Sequence, residues 1–222
     1  SGKTAAARME SHGRDIRDVT ALILSHDHND HVSCAGVFHR KFGLPLYMTA
    51  GTHAAVADQI GRVSGVRHFR PGDCLTFGDV RVHTLRTPHD AVEGVCFVVE
   101  HEGRRLGILT DLGHPFDALG PVLSELHAAY IESNYDVEML EKGPYPYYLK
   151  QRIRGHGGHL SNAESAELVA TRGRGLEWAV LAHLSAENNH PTIAMHTHRR
   201  TVGSSFPLLV ASRTEVGPML TV

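Results

Sequence analysis

Metal-binding side chains crowd into one short stretch of the chain, Ser25–His31. The apolar run Ala21–Leu24 before it predicts a buried strand, and a helix is predicted after it over Val32–Phe42, ended by Gly43. Burying so many ionisable groups without partners is costly, which disfavours a purely structural role. Imidazole and carboxylate are the usual ligands of divalent zinc, manganese and iron, so the stretch predicts a metal site in a strand-to-helix loop. Its candidate ligands are His26, Asp27, His28, Asp30 and His31.

The spacing of four of these residues resembles a family signature. His26-x-His28-x-Asp30-His31 matches H-x-H-x-D-H, the motif of the metallo-β-lactamase fold, at every defined position. The resemblance implies an α/β fold, an αββα sandwich of two sheets between helices, and we expect a single domain over residues 1–222. It also implies a cofactor of two divalent metal ions, zinc or manganese, with iron as a further option.

The resemblance requires further ligands, and three later residues can supply them: His89, Asp111 and His183, the last of which directly follows the predicted strand Leu176–Ala182. His89 and Asp111 each follow a predicted strand, in the order in which the family places a loop histidine and a metal-bridging aspartate. Taken alone, either residue would fit an ordinary turn or helix cap. By the resemblance, one metal is bound by His26, His28 and His89, the other by Asp30, His31 and His183, and Asp111 lies between them.

Length and composition are those of an ordinary globular chain. With 222 residues, 41% of them hydrophobic and 21% charged, the chain can bury a sizeable core, and its net charge of −2 signals neither nucleic acid nor membrane. Three cysteines without C-x-x-C spacing predict reduced thiols and a cytoplasmic protein. No apolar run is long enough to span a membrane.

The beginning of the chain departs from the resemblance. Lys3–His12 predicts a helix with Gly13 as its C-cap. Metallo-β-lactamase domains open instead with a β-hairpin whose second strand ends in an aspartate. We therefore expect this chain to lack the first hairpin of the sandwich, through truncation or true absence, while the implied metal ligands all lie after that point.

Strands and helices alternate along the rest of the chain. Two histidines spaced as a possible second metal motif, His196 and His198, fall in a predicted helix, where residues two apart do not share a face. We expect no metal there. The predicted strands are Leu46–Thr49, Val66–Phe69, Cys74–Phe77, Val80–Arg86, Val92–Glu100, Arg104–Thr110, Ala129–Ile131 and Leu176–Ala182, and the predicted helices are Thr52–Ile60, Asn162–Arg172 and Pro191–Thr201.

Further motifs narrow the resemblance to one subfamily. The segments E-S-N-Y-D at 132–136, G-H-L-S-N at 158–162 and L-A-H-L-S-x-E-N-N at 181–189 look like the WalJ/YycJ-type phosphodiesterases, described as 5′-to-3′ DNA exonucleases. The motifs resemble those of ribonuclease Z more distantly. By this analogy Glu132 orients His159, His159 protonates the leaving group, and Asp30 orients the attacking hydroxide.

Tyrosines and cations cluster beside these motifs. Tyr135, Tyr145, Tyr147 and Tyr148 fall in one stretch together with Lys142, Lys150, Arg152 and Arg154. Aromatic rings that stack on bases, beside cations that meet phosphates, are typical of a single-strand groove, although a packing cluster is an equal alternative. The predicted substrate contacts are Asn134, Tyr135, Lys150, Arg152, Ser161 and Asn162, of which Ser161 or Asn162 also predicts the N-cap of a helix.

The sequence therefore predicts a dinuclear phosphodiester hydrolase acting on nucleic acid, with DNA as the favoured substrate, through attack of a metal-bridging hydroxide. A small-molecule or cyclic phosphodiesterase, and a thioester or lactam hydrolase, are alternatives on the same metal cradle. A non-catalytic binding module is a third class, which the complete ligand set disfavours. His159 argues against the thioester reading, because a thiolate leaving group needs no acid.

Overall fold

The structure, a computed structural model, describes residues 2–222 and contains two β-sheets. Its strands are β1 (Leu22–Ile23), β2 (Leu46–Thr49), β3 (Arg67–Phe69), β4 (Cys74–Phe77), β5 (Val80–Arg86), β6 (Val95–His101), β7 (Arg104–Leu109), β8 (Ala128–Glu132), β9 (Trp178–Ala182) and β10 (Leu208–Val210). Its helices are α1 (Gly2–Glu10), α2 (Asn29–Val32), α3 (Ala35–Phe42), α4 (Ala50–Ile60), α5 (Leu119–Ser124), α6 (Val137–Lys142), α7 (Tyr147–Arg154), α8 (Asn162–Arg172) and α9 (Pro191–Val202).

The two sheets differ in strand direction. The smaller one has three parallel strands in the order β1-β2-β3, and the larger one has seven in the order β10-β9-β8-β7-β6-β5-β4. Strands β4 to β7 form an antiparallel meander, whereas β7, β8, β9 and β10 run parallel. Parallel strands end at the same edge of a sheet, so the residues that follow β7, β8 and β9 are brought together.

Each sheet packs its own helices. The larger sheet contributes Leu109, Ile131 and Leu181 to a core that also contains Leu123 of α5 and Val169 of α8. Full burial of each such side chain contributes about 1.5–3 kcal/mol relative to exposure, so this core holds the ends of β7 to β9 firmly in place.

The smaller sheet forms a second core with α2 to α4. Leu46 and Met48 of β2 pack there with Val32, Val56 and Ile60. The loop after β1 is also joined to the larger sheet, because the backbone N–H of Val95 in β6 donates to Ser25 O over 3.0 Å.

One predicted helix near the metal-ligand loop needs correction. The helix predicted over Val32–Phe42 is interrupted, since α2 ends at Val32, α3 begins at Ala35, and Ser33 and Cys34 lie between them. Helix α3 ends as predicted at Gly43, whose φ of 71° suits a residue without a side chain. Between Gly2 and β1 the described chain contains α1 and a 3₁₀ turn, and no strand.

Helices α5, α6 and α7 and strand β10 were not predicted. Helix α7 is short and none of its residues is buried, so its sequence did not mark it as a helix that packs on the core. Strand β10 has only three residues and obtains its regular structure by pairing with β9. Within residues 2–222, no helix has the length and apolar character required to cross a bilayer.

The two C-terminal histidines lie on opposite faces of α9, as their spacing predicts. His196 is exposed, whereas His198 is fully buried, with Nδ1 3.0 Å from Ala194 O and Nε2 3.2 Å from Ser165 Oγ. A carbonyl only accepts, so Nδ1 donates to Ala194 and Nε2 accepts from Ser165. Burial lowers the pKa of His198 from 6.5 to about 4, and the ring stays neutral at neutral pH.

We predict that His198 makes the protein less stable as the pH falls from about 6.5 to about 4. In this window the unfolded chain binds a proton at this residue and the folded chain does not, so stability rises with pH. In urea titrations at pH 7.5 and pH 5.0, His198→Gln should reduce the change in the free energy of unfolding by about 1–2 kcal/mol. His196→Gln is the control on the same helix. Equal pH slopes for the wild type and His198→Gln would contradict the prediction.

Candidate metal centre

The seven predicted metal ligands converge at one end of the sandwich. Strand ends and short loops carry them, and the cores described above fix those strand ends. Their ligand atoms form overlapping groups within 4.8 Å of one another. The residues are His26 and His28 after β1, Asp30 and His31 in α2, His89 after β5, Asp111 after β7 and His183 after β9.

One group consists of His26, His28 and His89. His28 Nδ1 lies 3.2 Å from His89 Nε2, close to the spacing of about 3.3 Å expected for two nitrogens on one tetrahedral zinc ion. Hydrogen bonds from the opposite ring nitrogens fix this orientation. His28 Nε2 donates to Asp90 O over 3.1 Å, and His89 Nδ1 donates to Gly158 O over 2.9 Å.

A second group consists of Asp30, His31 and His183. Asp30 Oδ2 lies 3.5 Å from His31 Nε2 and 3.9 Å from His183 Nε2. His183 turns its other nitrogen, Nδ1, toward Glu132 Oε1 at 3.0 Å. Nε2 of His183 is therefore the nitrogen that faces this group.

Asp111 lies between the two groups. Its Oδ1 is 3.7 Å from His89 Nε2, and its Oδ2 is 3.5 Å from His31 Nε2. Asp111 Oδ2 and His26 Nε2 are both buried and have no hydrogen-bond partner among the described residues. Leaving two such atoms unpaired is costly, and a bound cation would satisfy both. The donor set therefore fits divalent metal ions.

Burial and neighbouring charges shift the pKa values of His26 and His183 in opposite directions. Burial lowers the pKa of His26 to about 2, and repulsion from His31 and His28 adds to this, so His26 stays in the neutral form that binds metal. Burial also opposes the charged form of His183, but Asp30 and Glu132 outweigh it and raise its pKa to about 10. A metal ion at His183 must therefore displace a proton.

Glu132 is a fully buried carboxylate at the end of β8. Both of its oxygens accept hydrogen bonds, and it also belongs to a group of ligand atoms that could hold a metal ion, together with Asp111, His159 and His183. Burial raises its pKa, but the hydrogen bonds from His159 and His183 outweigh burial and hold the pKa below the usual range. Oε1 accepts from His159 Nδ1 at 2.8 Å, His183 Nδ1 at 3.0 Å and Asp111 N at 3.3 Å, and Oε2 accepts from Leu112 N at 3.1 Å and Leu160 N at 3.2 Å.

Two predicted ligands have an unusual backbone conformation. Asp111 and His183 have φ values of 57° and 56°, in the left-handed region that residues with side chains seldom adopt. The cost is of order 1–3 kcal/mol each, and neighbouring hydrogen bonds offset it. Asn134 Nδ2 donates to His183 O over 2.8 Å, and Asn189 Nδ2 donates to Asn134 O over 3.0 Å.

Comparison with known proteins agrees with this geometry. The sequence profile of the Metallo-beta-lactamase superfamily matches residues 1–171. The chain belongs to this superfamily. It is 35% identical over 197 residues to "Exodeoxyribonuclease YycJ" of Bacillus anthracis, covering 87% of this chain and 75% of that protein. It is also 35% identical over 202 residues to "Exodeoxyribonuclease WalJ" of Streptococcus pneumoniae, covering 89% and 75%.

Solved structures of the superfamily confirm the predicted αββα fold. The metallo-β-lactamase fold protein YhfI from Bacillus subtilis superposes with a TM-score of 0.68 at 18% identity, covering 88% of this chain and 76% of that one. The resemblance to the WalJ/YycJ-type subfamily is likewise confirmed by its two relatives.

A cleft of about 650 Å³ opens above the predicted ligands. Asn134 and Arg152, two of the predicted substrate contacts, line it, and so does His159. Helix α7 forms one wall through Leu149, Arg152 and Ile153, which share one face of that helix. Lys150 is not part of the wall, because its Nζ donates to Glu141 O over 2.6 Å.

Three other predicted substrate contacts are buried and do not line the cleft. Tyr135, Ser161 and Asn162 are only 5%, 3% and 1% exposed, and burial raises the pKa of Tyr135 to about 12. Ser161 caps α8 in a capping box with Glu164. Asn162 Nδ2 donates to Asn189 Oδ1 over 3.0 Å within a buried network.

The structure adds residues that the sequence reasoning missed. Ser25 Oγ lies 3.0 Å from His26 Nδ1 and 3.2 Å from His31 Nδ1, so one hydroxyl orients both rings. Asp90 Oδ2 accepts from Arg152 Nε over 2.5 Å at the rim of the cleft. Ser25 precedes the predicted ligand His26, and Asp90 follows His89, so their places in the sequence could have identified them. Arg213 also lines the cleft, but no feature of the sequence around it pointed to the site.

We predict that the purified protein, reconstituted with zinc or manganese, holds close to two metal equivalents after dialysis. Asp111→Ala should lose most of one equivalent, because the carboxylate between the two groups disappears. His26→Ala should weaken binding at the His26, His28 and His89 group. Inductively coupled plasma mass spectrometry measures the content, and His196→Ala serves as a matched control. Wild-type metal content in His26→Ala would show that the ligand set is wrong.

Proposed function

We propose that this protein, a metal-dependent hydrolase by family, cleaves phosphodiester bonds in nucleic acid as a DNA exonuclease. The observation that carries the proposal is one cleft of about 650 Å³ whose lining brings together four of the predicted metal ligands, His159 and Arg152, with Glu132 hydrogen-bonded behind His159. The two relatives named exodeoxyribonucleases support DNA as the substrate, since each is 35% identical over three quarters of its own length. The 5′-to-3′ direction is proposed from the subfamily resemblance.

Two groups of ligands on either side of Asp111 support a dinuclear centre. Divalent ions bound in such a pair lower the pKa of water and stabilise negative charge on a phosphoryl oxygen. Zinc and manganese both suit a site of imidazoles and carboxylates, and iron is a further option.

Asp30 is proposed to orient the attacking oxygen. Its carboxylate is largely exposed and lines the cleft. The His183 imidazole holds the pKa of Asp30 below its usual range, so Asp30 is ionised and accepts hydrogen bonds. A fixed acceptor at this place restricts a nucleophilic water or hydroxide to the direction from which it can reach phosphorus.

His159 is proposed to be the general acid. Its Nδ1 donates to Glu132 over 2.8 Å, and this contact fixes the ring in the wall of the cleft. The opposite nitrogen, Nε2, can then carry a proton to the leaving oxygen as the bond to phosphorus breaks. Glu132 is fully buried and acts as the positioning residue of this pair.

Helix α7 and its approach offer a surface suited to a nucleotide. Tyr145, Leu149 and Ile153 give the cleft an apolar side on which a base can lie, and Arg152 places a cation beside it. Asp90 holds the Arg152 guanidinium through Nε, which leaves the terminal nitrogens as further donors.

We predict that Arg152→Ala raises the KM for single-stranded oligonucleotides several-fold and reduces the salt slope of binding by about one. Hydrolysis of a small nitrophenyl phosphodiester should change little, because that substrate has no neighbouring phosphate. Lys150→Ala, which removes a cation from the same helix outside the cleft wall, is the control. Equal losses on both substrates would mean that Arg152 supports the fold of the cleft.

We predict that His159→Ala keeps its metal content and lowers kcat about 10²–10⁴-fold on DNA, where the leaving group is a poor alkoxide. A nitrophenolate leaving group needs little protonation, so the small diester should be affected far less. His156→Ala, which removes a nearby exposed histidine that does not line the cleft, is the control. Equal losses on the two substrates, or loss of a metal ion, would refute the acid role.

A further inference from the structure

The cleft does not end at the predicted metal ligands. A second cavity of about 600 Å³ adjoins it beyond His183. The two cavities share five lining residues and therefore form a continuous depression across the surface. The shared residues are His183, Leu184, Ser185, Ala186 and Arg213.

The chemistry of the second cavity differs from that of the first. Asp30, Asp90 and Asp111 line the first cavity, whereas no described residue that lines the second is acidic. The second cavity combines an apolar side, Pro191 and Val210, with hydroxyl-bearing residues such as Thr214. Such a lining suits a sugar and a base, and it does not repel an anion.

Arg213 stands at the border between the two cavities. Its Nη2 donates to Leu184 O over 2.6 Å, and the guanidinium keeps further N–H donors for a ligand. Its own backbone is held in turn, because Arg8 Nη2 donates to Arg213 O and Thr214 O, each over 2.9 Å. Arg213 is therefore a fixed cation in the lining of the cleft that contains the predicted metal ligands.

We propose that the second cavity is a nucleotide subsite and that Arg213 binds the phosphate next to the one being cleaved. This inference rests on the proposed function. A strand whose scissile phosphate lies over the metal ligands must pass Arg213 to continue into the second cavity. A guanidinium binds phosphate oxygens through paired N–H donors, so it fixes the strand at that point. A small diester fills the first cavity alone, and the second cavity therefore selects for a polymer.

Ala211 allows the subsite to be tested without touching Arg213. It is exposed and lines only the second cavity, and its backbone N–H donates to Leu181 O over 2.8 Å, a bond that side-chain replacement preserves. Ala211→Glu and Ala211→Lys place opposite charges at one position. The substrates are thymidine oligonucleotides of increasing length and bis(nitrophenyl) phosphate, all assayed with the metal-loaded full chain.

In the wild type, kcat/KM should rise with oligonucleotide length. Ala211→Glu should lower kcat/KM about two- to five-fold on the longer oligonucleotides, and Ala211→Lys should not, because only the first repels the strand. Arg213→Ala should lower it about 10–100-fold, mainly through KM. Neither Ala211 variant should alter hydrolysis of bis(nitrophenyl) phosphate, and Arg213→Ala should reduce it far less than it reduces cleavage of the longer oligonucleotides. Arg200→Ala removes an equal charge from an exposed position outside both cavities and should match the wild type.

The outcomes separate this inference from the proposed function. If the wild type cleaves oligonucleotides but the Ala211 pair and Arg213→Ala keep its length dependence, the subsite is overturned and the nuclease proposal stands. If Arg213→Ala loses both substrates equally, Arg213 supports the loop after His183, and the phosphate role is overturned. If the wild type cleaves the small diester and no oligonucleotide of any length, both proposals are overturned.

Discussion

A fully buried carboxylate holds the functional end of this molecule together. Glu132 is removed from water, and an ionised group in that position is stable only when hydrogen bonds replace its hydration. Five donors do so, from the turn after β7, the segment before α8 and the residue after β9. Removing the charge would leave several of these donors without a partner. The position of β8 in the sheet thereby sets the positions of Asp111, His159 and His183.

Hydrogen bonds also fix the orientation of the histidine rings. A ring presents a defined nitrogen only if its other nitrogen is engaged, and the structure supplies a partner for each ligand ring. Backbone carbonyls serve His28 and His89, the Ser25 hydroxyl lies beside His26 and His31, and Glu132 serves His183. The left-handed conformations of Asp111 and His183 belong to this arrangement, because they direct two side chains out of strand ends toward one point. The backbone strain at these two residues accompanies the convergence of their side chains on the predicted metal site.

The proposed recognition of an anionic polymer depends on local charge. The net charge of −2 offers no long-range attraction, and the floor of the cleft carries carboxylates. Bound divalent ions would reverse the sign of that floor, while Arg152 and Arg213 add cations to the lining of the cleft. The proposed substrate path therefore passes two guanidinium groups and the predicted metal ligands.

The sequence alone determined the features that are formed by residues close together along the chain. The spacing of His26, His28, Asp30 and His31 fixes a ligand cluster because one short loop carries all four residues. The capping box of Ser161 and Glu164 and the hairpin turn at Glu102–Gly103 are local for the same reason. The family resemblance added His89, Asp111, His183 and the Glu132–His159 pair, and the fold brings them to one place.

Tertiary structure alone decided which polar residues reach the cleft. Tyr135 and Asn162 are residue types that suit substrate contacts, yet the fold buries both of them, and no local pattern distinguishes a buried polar side chain from an exposed one. No residue of helix α7 is buried, so only its place beside the cleft reveals it as a wall. Arg213 reaches the site because Arg8 of α1 holds its loop there, a contact between opposite ends of the chain that spacing cannot predict.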